Sequence, residues 1–277
     1  KVVVDGVNSS GGIAIPQLLE ALKIEVVKIH CEPNGHFPHN PEPLKEHLGD
    51  LCDSVVRHKA DFGIAVDPDV DRLVFVDENG ELFGEEYTLV ACADYILSKT
   101  PGATVSNLSS TRALADLTQR YGEGYTASAV GEVNVVTEMK SVQAVIGGEG
   151  NGGIIYPPLH YGRDALVGVV FFLSLLVERK MKVSQLKATY PSYFMSKNKI
   201  TLEKGMNVDD LLLQMKERYA TERISSIDGV KIDFDKSWVH LRKSNTEPII
   251  RVYTEATSEA QAVALANRFV SEISSLF

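Results

Sequence analysis

The stretch Phe62-Gly-Ile-Ala-Val-Asp-Pro-Asp-Val-Asp-Arg-Leu-Val-Phe-Val76 decides the fold. Two apolar runs of strand length flank the residues from Asp67 to Arg72, which include a proline and three carboxylates. Short runs rich in Val, Ile and Phe that are bounded by turn residues indicate buried β-strands. The segment therefore predicts a strand, a tight turn and a second strand. Its acidic side chains lie at strand ends, where functional sites are usually built.

The acidic turn has the composition of a metal site. Asp67, Asp69 and Asp71 lie at every second position, and Arg72 follows immediately. Like charges this close repel one another unless a cation offsets the repulsion. Mg²⁺ commonly takes a few carboxylates and leaves positions open for phosphate oxygens, and an arginine can bind the same phosphate in a bidentate manner. The turn predicts a Mg²⁺ site prepared for a phosphate; a solvated acidic turn is the alternative.

Two other acidic motifs fit this turn less well. In an EF-hand loop, the three aspartates and Glu78 would fall at ligand positions, but Arg72 occupies the position that needs glycine. A haloacid-dehalogenase-type phosphatase has an Asp-x-Asp turn after a strand, followed at the next-but-one position by Thr or Val. Here that position is Asp71.

Composition limits the classes of partner. The chain has 277 residues, of which 44% are hydrophobic and 23% charged, as in an ordinary globular protein of two or three domains. The net charge of -9 argues against nucleic acid or an anionic membrane surface as a partner. The apolar run at residues 165–177 is too short to span a bilayer and predicts a buried helix. Three widely spaced cysteines predict no disulfide framework and a reducing cytoplasm.

The periodicity predicts three consecutive domains at residues 1–83, 84–192 and 193–277. The first two are α/β domains with mixed sheets in three layers, and the third is a small α+β domain with an antiparallel sheet and two helices. In the first domain we expect strands at residues 2–4 and 25–29, a helix from Pro16 to Leu22, and a second helix that ends near Lys59. In the second we expect helices at residues 84–97 and 112–121, and strands at 103–107 and 142–146.

The third domain has its own predicted elements. Strands are expected at residues 200–202, 230–234, 238–241 and 249–254. Asn207 and Asp210 predict the start of a helix that runs to Tyr219, and a last helix follows from Ser258. Lys1 opens directly on a core strand, which predicts that a further segment precedes it.

Two further stretches carry polar chemistry. Residues 147–153 are rich in glycine and present Glu149 and Asn151, a carboxylate and an amide that suit sugar hydroxyls; a flexible turn is the alternative. Residues 242–251, Arg-Lys-Ser-Asn-Thr-Glu-Pro-Ile-Ile-Arg, offer two guanidiniums, a lysine, two hydroxyls and turn N–H groups. That set indicates a phosphate nest, with a solvated basic turn as the alternative.

The order and spacing of these three motifs resemble the α-D-phosphohexomutases, the family of phosphoglucomutase, phosphomannomutase and phosphoglucosamine mutase. Residues 63–72 resemble the metal-binding loop of that family, residues 148–153 its sugar-recognition loop and residues 242–251 its phosphate-binding loop. The chain resembles the last three of the family's four domains. The first domain, which carries a phosphorylated serine, has no counterpart here.

The resemblance implies a role for each motif. Asp67, Asp69 and Asp71 would bind Mg²⁺ together with the phosphoserine, and Arg72 would contact its phosphate. Glu149 would bind sugar hydroxyls with Asn151, at a position where the family usually has Ser. The phosphate that is not reacting would be held by Arg242, Ser244, Asn245, Thr246 and Arg251. The implied reaction interconverts a hexose 1-phosphate and 6-phosphate of mannose, glucose or glucosamine through a bisphosphate.

The sequence departs from the family at two positions that bear on proton transfer. Gly153 stands where the family often has a candidate general base, His, and Glu132 stands where Asp or His is common; His160 is a nearby replacement. We expect the chain to be inactive without the serine domain. A non-catalytic module that binds sugar phosphate or metal, and a Mg²⁺-dependent sugar phosphatase, are the alternative functions.

Overall fold

The computed structural model describes residues 1–201, 207–244 and 247–276. They form two compact units: residues 1–127 with 131–191, and residues 128–130 with the chain from Ser192 onward. The predicted fold class is confirmed, because two mixed α/β sheets precede an antiparallel sheet. Both α/β sheets lie in the first unit, and the predicted domain boundaries at residues 83 and 192 stay a prediction.

The first sheet carries the acidic turn. Its strands are β1 (Val2–Asp5), β2 (Val26–Ile29), β3 (Phe62–Val66) and β4 (Leu73–Val76). Their order is β2-β1-β3-β4, with β1 parallel to β2 and β3, and β4 antiparallel to β3. Helices α1 (Gly11–Ala21) and α2 (Gly49–Arg57) pack against the sheet, and a 3₁₀ turn at Lys45–His47 precedes α2. Every residue of β1, β3 and β4 is buried, which explains their continuous apolar runs.

Helix α1 begins five residues before the predicted start at Pro16, which lies inside it. Gly11 and Gly12 form its first turn, and glycine is a poor helix former, so the sequence pattern hides this turn. A side chain is excluded at Gly12, since a Cβ would lie 2.6 Å from the Cα of Cys31. The glycines therefore serve the close approach of α1 to the end of β2.

The second sheet carries the glycine-rich stretch. Its strands are β5 (Thr104–Asn107), β6 (Tyr125–Ser128), β7 (Ile146–Glu149), β8 (Gly153–Tyr156) and β9 (His160–Arg163), in the order β6-β5-β7-β8-β9. Strands β5 and β7 are parallel, and β7, β8 and β9 form antiparallel pairs. The helices of this part are α3 (Glu85–Leu97), α4 (Ala113–Arg120), α5 (Glu132–Ser141), α6 (Ala165–Arg179) and α7 (Val183–Lys187).

Several elements of this part of the chain differ from the sequence prediction. Helices α5 and α7 and strands β6, β8 and β9 were not predicted, and the strand predicted at residues 142–146 begins only at Ile146. The Val-Asn-Val-Val-Thr run of α5 is rich in β-branched residues, which favour strands. Residue propensity therefore does not predict a helix here. Part of the glycine-rich stretch is paired strand, because Gly147 and Gly148 pair with Ile155 and Ile154.

The two sheets of the first unit share an aromatic core. The rings of Phe75 in β4 and Phe172 in α6 stack with centroids 3.6 Å apart, and Phe83 meets Phe172 edge-on at 5.1 Å. All three side chains are fully buried. This packing fixes the acidic turn relative to the second sheet.

Helix α6 confirms the buried helix predicted at residues 165–177. Asp164 caps its N-terminus by accepting a hydrogen bond from the N–H of Val167 at 3.0 Å. None of the helices in the described ranges combines the length and the apolar character that a membrane crossing needs.

The second unit contains a five-stranded antiparallel sheet. Its elements are β10 (Phe194–Thr201), α8 (Val208–Arg218), β11 (Arg223–Ser225), β12 (Val230–Asp233), β13 (Trp238–Lys243), β14 (Ile249–Ala256) and α9 (Glu259–Ser274), with strand order β10-β14-β13-β12-β11. The predicted cap of α8 is confirmed, because the Asn207 side chain accepts a hydrogen bond from the N–H of Asp209 and donates to Asp210. Strand β10 begins six residues before the predicted start, and β11 was not predicted.

Candidate functional site

The structure brings the three acidic side chains of the turn together. One carboxylate oxygen each of Asp67, Asp69 and Asp71 lies within 4.8 Å of the other two. Asp67 is buried, Asp71 is partly buried and Asp69 is exposed. Val70 adopts a left-handed backbone conformation with φ 61°, which is strained for a β-branched residue. Strain of this kind persists where surrounding contacts fix the backbone, and here Val70 N–H donates to the Asp67 carbonyl oxygen.

Asp67 organises the backbone of the turn. Its Oδ1 accepts hydrogen bonds from the N–H groups of Asp71 at 3.0 Å and Arg72 at 2.9 Å. Burial of the carboxylate raises the pKa of Asp67 to about 7, and the neighbouring charges of Asp71 and Asp69 act in the same direction. The turn thus concentrates negative charge that a bound cation would stabilise.

The donor set of the turn fits a hard divalent cation. Asp71 Oδ1 is buried and has no hydrogen-bond partner among the described residues; the Nε of Arg72 is 3.9 Å away. A buried carboxylate oxygen without a partner carries a desolvation cost that an ion would offset. The three oxygen donors on a tight turn match the preference of Mg²⁺ for a few carboxylates with open positions.

Arg72 lies beside these carboxylates but is already engaged. Its Nη1 donates to Oε1 of Glu42 at 3.1 Å, and its Nε is 3.5 Å from Oδ2 of Asp67. The side chain is partly exposed. A phosphate at the turn would have to compete with Glu42 for this guanidinium.

Arg163 joins the acidic turn to the glycine-rich hairpin and was not singled out from the sequence. Its Nη2 donates to Oδ2 of Asp71 in a short contact, and its Nη1 donates to Oε2 of Glu149 at 2.9 Å. Its Nε lies 3.5 Å from Oε2 of Glu132. The sequence signal was slight: one cation at the end of a polar loop, just before the Asp164 cap of an apolar helix.

Glu149 and Asn151, which were predicted to bind sugar hydroxyls, lie in the hairpin between β7 and β8, and both side chains have partners within the protein. Glu149 Oε1 accepts from the side-chain amide of Asn107 at 2.9 Å and from the N–H of Gly131 at 3.3 Å. Asn151 Oδ1 accepts from the N–H of Gly153 at 3.1 Å, which closes the turn. Glu149 is therefore held in a fixed position, as a recognition group needs to be.

The hairpin and the acidic turn meet through backbone atoms. Leu73 N–H donates to the carbonyl oxygen of Gly152 at 3.2 Å. Gly152 has φ +88°, and a Cβ there would lie 2.3 Å from the Leu73 carbonyl oxygen. Only glycine allows this approach, so part of the glycine content that the sequence assigned to ligand access serves contact between the two elements.

The three residues considered for proton transfer, Gly153, Glu132 and His160, all lie among the described residues. A Cβ on Gly153 would lie 2.4 Å from Cδ of Arg163, so Arg163 fills the space that a side chain at this position needs. Glu132 accepts a hydrogen bond from the N–H of Arg163 at 3.1 Å. His160 Nδ1 accepts from the N–H of Gly162, and its Nε2 donates to Asp164, so both ring nitrogens are engaged.

The predicted phosphate nest lies in the second unit, at the turn between β13 and β14. Arg242 and Arg251 are directly opposite across these strands. Their ion pairs are long, at 3.5 Å from Arg242 to Asp228 and 3.8 Å from Arg251 to Glu247. Like charges directly opposite on a sheet destabilise it unless an anion is shared, which favours a phosphate here.

The remaining predicted residues of the nest are Ser244, Asn245 and Thr246. Ser244 is buried; its N–H donates to the carbonyl oxygen of Ile249 at 3.0 Å, and its Oγ accepts from the N–H of Glu247 at 3.3 Å. Asn245 and Thr246 lie outside the described residues. The described part of the turn thus joins a buried hydroxyl to two guanidiniums.

Sequence models of three domains of one family match most of the chain. Phosphoglucomutase/phosphomannomutase alpha/beta/alpha domain II matches residues 1–80, alpha/beta/alpha domain III residues 84–193 and the C-terminal domain residues 198–272. Together with the acidic turn and the basic turn, these matches define a phosphohexomutase architecture. The chain belongs to the phosphoglucomutase/phosphomannomutase family of phosphohexomutases.

Relatives with assigned names support this placement. A phosphoglucomutase/phosphomannomutase of Thermococcus kodakarensis is 37% identical over 266 residues, which cover 94% of this chain and 58% of the relative. A probable phosphoglucosamine mutase of Methanopyrus kandleri is 34% identical over 273 residues, covering 98% of this chain and 60% of the relative. The chain therefore spans about three fifths of the length of these relatives.

A solved structure shows the same fold. The crystal structure of a phosphoglucomutase/phosphomannomutase family protein from Burkholderia thailandensis superposes with a TM-score of 0.86 at 27% identity. The match covers 97% of this chain and 58% of that chain.

Proposed function

We propose that this chain supplies the metal, sugar and distal phosphate sites of a Mg²⁺-dependent enzyme that interconverts the 1-phosphate and the 6-phosphate of a hexose. One observation carries the proposal above the others: Asp71 Oδ1 is buried without a hydrogen-bond partner among the described residues, in a turn of three carboxylates beside an arginine. Family membership supplies the reaction class. The preferred hexose is mannose, glucose or glucosamine.

At the acidic turn, Asp67, Asp69 and Asp71 hold the cation in this proposal. Bound Mg²⁺ would neutralise charge on a phosphoryl group during its transfer. Arg72 leaves Glu42 to bind a phosphate oxygen, and Arg163 keeps the Asp71 carboxylate oriented toward the site. These residues position and stabilise charge, which is the main contribution of a protein to phosphoryl transfer.

The sugar and the second phosphate have separate sites in this proposal. Glu149 and Asn151 bind sugar hydroxyls at the hairpin. The phosphate that is not reacting is held in the basic turn by Arg242, Ser244, Asn245, Thr246 and Arg251. The reaction in this proposal passes through a bisphosphate, with the phosphoryl group passing to and from a serine of a further domain.

The test uses the full-length gene product that contains these residues. The 1-phosphates of glucose, mannose and glucosamine are offered separately with Mg²⁺, and both the isomerised sugar phosphate and inorganic phosphate are measured. We expect isomerisation of at least one sugar, without net release of inorganic phosphate. Release of phosphate without isomerisation would identify a phosphatase. Binding of sugar phosphate without turnover would identify a non-catalytic module, and either result contradicts the proposal.

Asp69→Asn tests the metal ligands within the same assay. Asp69 is exposed, so the substitution removes a charged donor with little effect on packing. We expect kcat/KM to fall roughly 100-fold, the scale of losing one electrostatic stabiliser of a transition state. Asp53→Asn, an exposed aspartate on α2, is the matched control and should leave kcat/KM unchanged. Equal values of kcat/KM for the two variants would show that Asp69 is not a metal ligand.

A further inference from the structure

A second group of metal-ligating side chains lies at the edge of the first sheet. It consists of Asp5, His30 and His39, each with one donor atom within 4.8 Å of the other two. Asp5 is the last residue of β1 and pairs in register with Ile29, the last residue of β2, so His30 follows directly beside it. His39 comes from the loop at residues 33–43, which is rich in proline and histidine.

The three donors converge on one carboxylate oxygen. Asp5 Oδ2 lies 3.1 Å from Nδ1 of His30 and 3.0 Å from Nε2 of His39. The two rings meet edge-on with centroids 5.4 Å apart. Asp5 is 1% exposed, whereas the histidine side chains are 21% and 16% exposed, which leaves a route for an ion from solvent.

The hydrogen bond of His39 to the backbone fixes its tautomer. Its Nδ1 lies 2.8 Å from the carbonyl oxygen of Asn40, and a carbonyl oxygen only accepts, so Nδ1 carries the hydrogen. In the neutral ring, Nε2 then directs a lone pair at Asp5 Oδ2, which carries lone pairs of its own. Two facing lone pairs require a cation between them or a proton on the ring.

Outer contacts orient the donors as they do around protein-bound metals. Asp5 Oδ1 accepts a hydrogen bond from the N–H of Val7 at 3.0 Å, which turns Oδ2 toward the histidines. His30 Nε2 lies 3.5 Å from Oδ2 of Asp50, in a carboxylate–histidine arrangement that is common behind zinc ligands. His30 has φ 47°, so its backbone is held in a strained conformation that points the ring at Asp5.

We propose that Asp5, His30 and His39 form a binding site for Zn²⁺. Two imidazole nitrogens and one carboxylate oxygen are the donors that Zn²⁺ favours over Mg²⁺, and three protein ligands leave one position for water. The Cys31 thiol is outside the donor set, because its Sγ contacts the carbonyl oxygens of Val4 and Ile29. The site differs in chemistry from the oxygen-only turn at Asp67.

Bound Zn²⁺ would fasten the loop at residues 33–43 to the sheet. Glu42, the partner of Arg72, lies in that loop. The loop after β1 also reaches the acidic turn, since Ser9 and Ser10 donate hydrogen bonds from Oγ to the carbonyl oxygen of Pro68. The zinc site would thus hold two segments that contact the acidic turn.

Calorimetry with ZnCl₂ tests the site on the 277-residue chain after chelator treatment, in a large excess of MgCl₂ that competes at the acidic turn. We expect one equivalent of Zn²⁺ to bind. His30→Gln and His39→Gln should each weaken binding by more than about 100-fold, because losing a ligand exceeds the roughly 10- to 100-fold effect of an outer partner. Asp50→Asn should weaken binding about 10-fold or more.

His36→Gln is the matched control, since His36 is exposed in the same loop and its backbone N–H and carbonyl make the hydrogen bonds to Asn34 and Asn8. It should bind Zn²⁺ as the unmodified chain does. Thermal unfolding without metal confirms that each variant folds, and added Zn²⁺ should raise the midpoint only where binding persists. Unchanged affinity in His30→Gln and His39→Gln would overturn the proposal. So would absence of Zn²⁺ binding to the unmodified chain, which would assign the cluster to protonated histidines paired with Asp5.

Discussion

Arg163 neutralises carboxylates from distant parts of the first unit. Asp71 is 92 residues away in sequence and Glu149 is 14 residues away. The arginine side chain is 15% exposed, and those of Asp71 and Glu149 are 18% and 8% exposed. Removing one partner of such a largely buried network leaves charges without their counter-charge, which is costly away from bulk water.

Arg163→Met is expected to destabilise the first unit, because the methionine fills space but leaves Asp71 and Glu149 unpaired. The free energy of unfolding should fall by roughly 3 kcal/mol, near the low end for a broken buried pair because these groups keep some contact with water. Chemical denaturation monitored by circular dichroism measures the change. Lys99→Met, in a half-exposed pair with Glu178, is the control and should change stability little. Equal effects of the two substitutions would show that the ion pairs of Arg163 contribute no more to stability than an exposed pair does.

His240 gives the second unit a pH dependence. The ring is 1% exposed, its Nε2 donates to the carbonyl oxygen of Asp228, and burial lowers the pKa of His240 to about 4. The unfolded chain has the ordinary value of about 6.5 and binds the proton first as pH falls. Stability is therefore lost between pH 6.5 and pH 4, and the loss from pH 6.5 to pH 5 is roughly 2 kcal/mol.

His240→Gln isolates this contribution, because glutamine does not titrate. Unfolding of both proteins is followed at pH 7 and pH 5 by the fluorescence of Trp238, the only tryptophan, which lies buried in the same strand. Between pH 7 and pH 5 the unmodified protein should lose about 2 kcal/mol more unfolding free energy than the variant does. A difference that does not change with pH would show that the pKa of His240 is the same in the folded and unfolded chains.

At the scale of elements, the hairpin between β7 and β8 depends on glycine for its contact with the acidic turn. Gly152 combines a left-handed backbone with a close approach to Leu73. Gly122 has a similar φ of +77°, but a Cβ there would meet nothing within 4 Å. Substitution of Gly122 therefore tests the cost of the backbone conformation alone, whereas substitution of Gly152 adds the cost of a lost contact between two elements.

Gly152→Ala is expected to destabilise the protein more than Gly122→Ala. Both substitutions incur the roughly 1–2 kcal/mol of a left-handed alanine, but only the first forces the hairpin away from the acidic turn. Mg²⁺ affinity of the full-length protein should fall with Gly152→Ala and stay unchanged with Gly122→Ala. Thermal unfolding and Mg²⁺ titration measure both effects. Equal losses of stability would mean that the hairpin accommodates a methyl group without moving.

The elements differ in how well the sequence predicts them. The strands around the acidic turn were predictable because unbroken apolar runs meet a turn dense in charge and proline. Helix α5 was not, since its β-branched run favours a strand, whereas in the fold Val135 and Met139 of this helix pack in a core cluster with residues of the second sheet. Local sequence reveals an element when propensity and burial agree.

The sites follow a similar rule. The carboxylates of the acidic turn are close in sequence, so their spacing was enough to identify them as a candidate site. Arg163 and the cluster of Asp5, His30 and His39 depend on strand order and on long loops, which bring distant residues together only in the folded chain. Spacing alone therefore predicted the acidic turn but not the arginine that orients it.

At the scale of the whole molecule, the chain covers about three fifths of the length of its relatives, and the proposed function assigns the phosphoserine to a further domain. Mg²⁺ at the acidic turn would then lack one ligand. We expect calorimetry on the 277-residue chain to show weak Mg²⁺ binding, with a Kd of roughly 1 mM or above, which corresponds to about 4 kcal/mol or less. Asp69→Asn should abolish what binding remains. Micromolar affinity would instead make the turn a complete site by itself.

The position of Arg163 between Asp71 and Glu149 also has a thermodynamic consequence. In the proposed function, a cation that binds Asp71 weakens its pair with Arg163, which then pairs more strongly with Glu149; a sugar that binds Glu149 strengthens the pair of Arg163 with Asp71 in the same way. Whatever factor the cation applies to sugar affinity, the sugar must apply to cation affinity, because the coupling free energy is reciprocal. In the proposed function, one guanidinium therefore couples metal and sugar binding negatively, because each ligand strengthens the arginine's hold on the carboxylate that the other ligand needs.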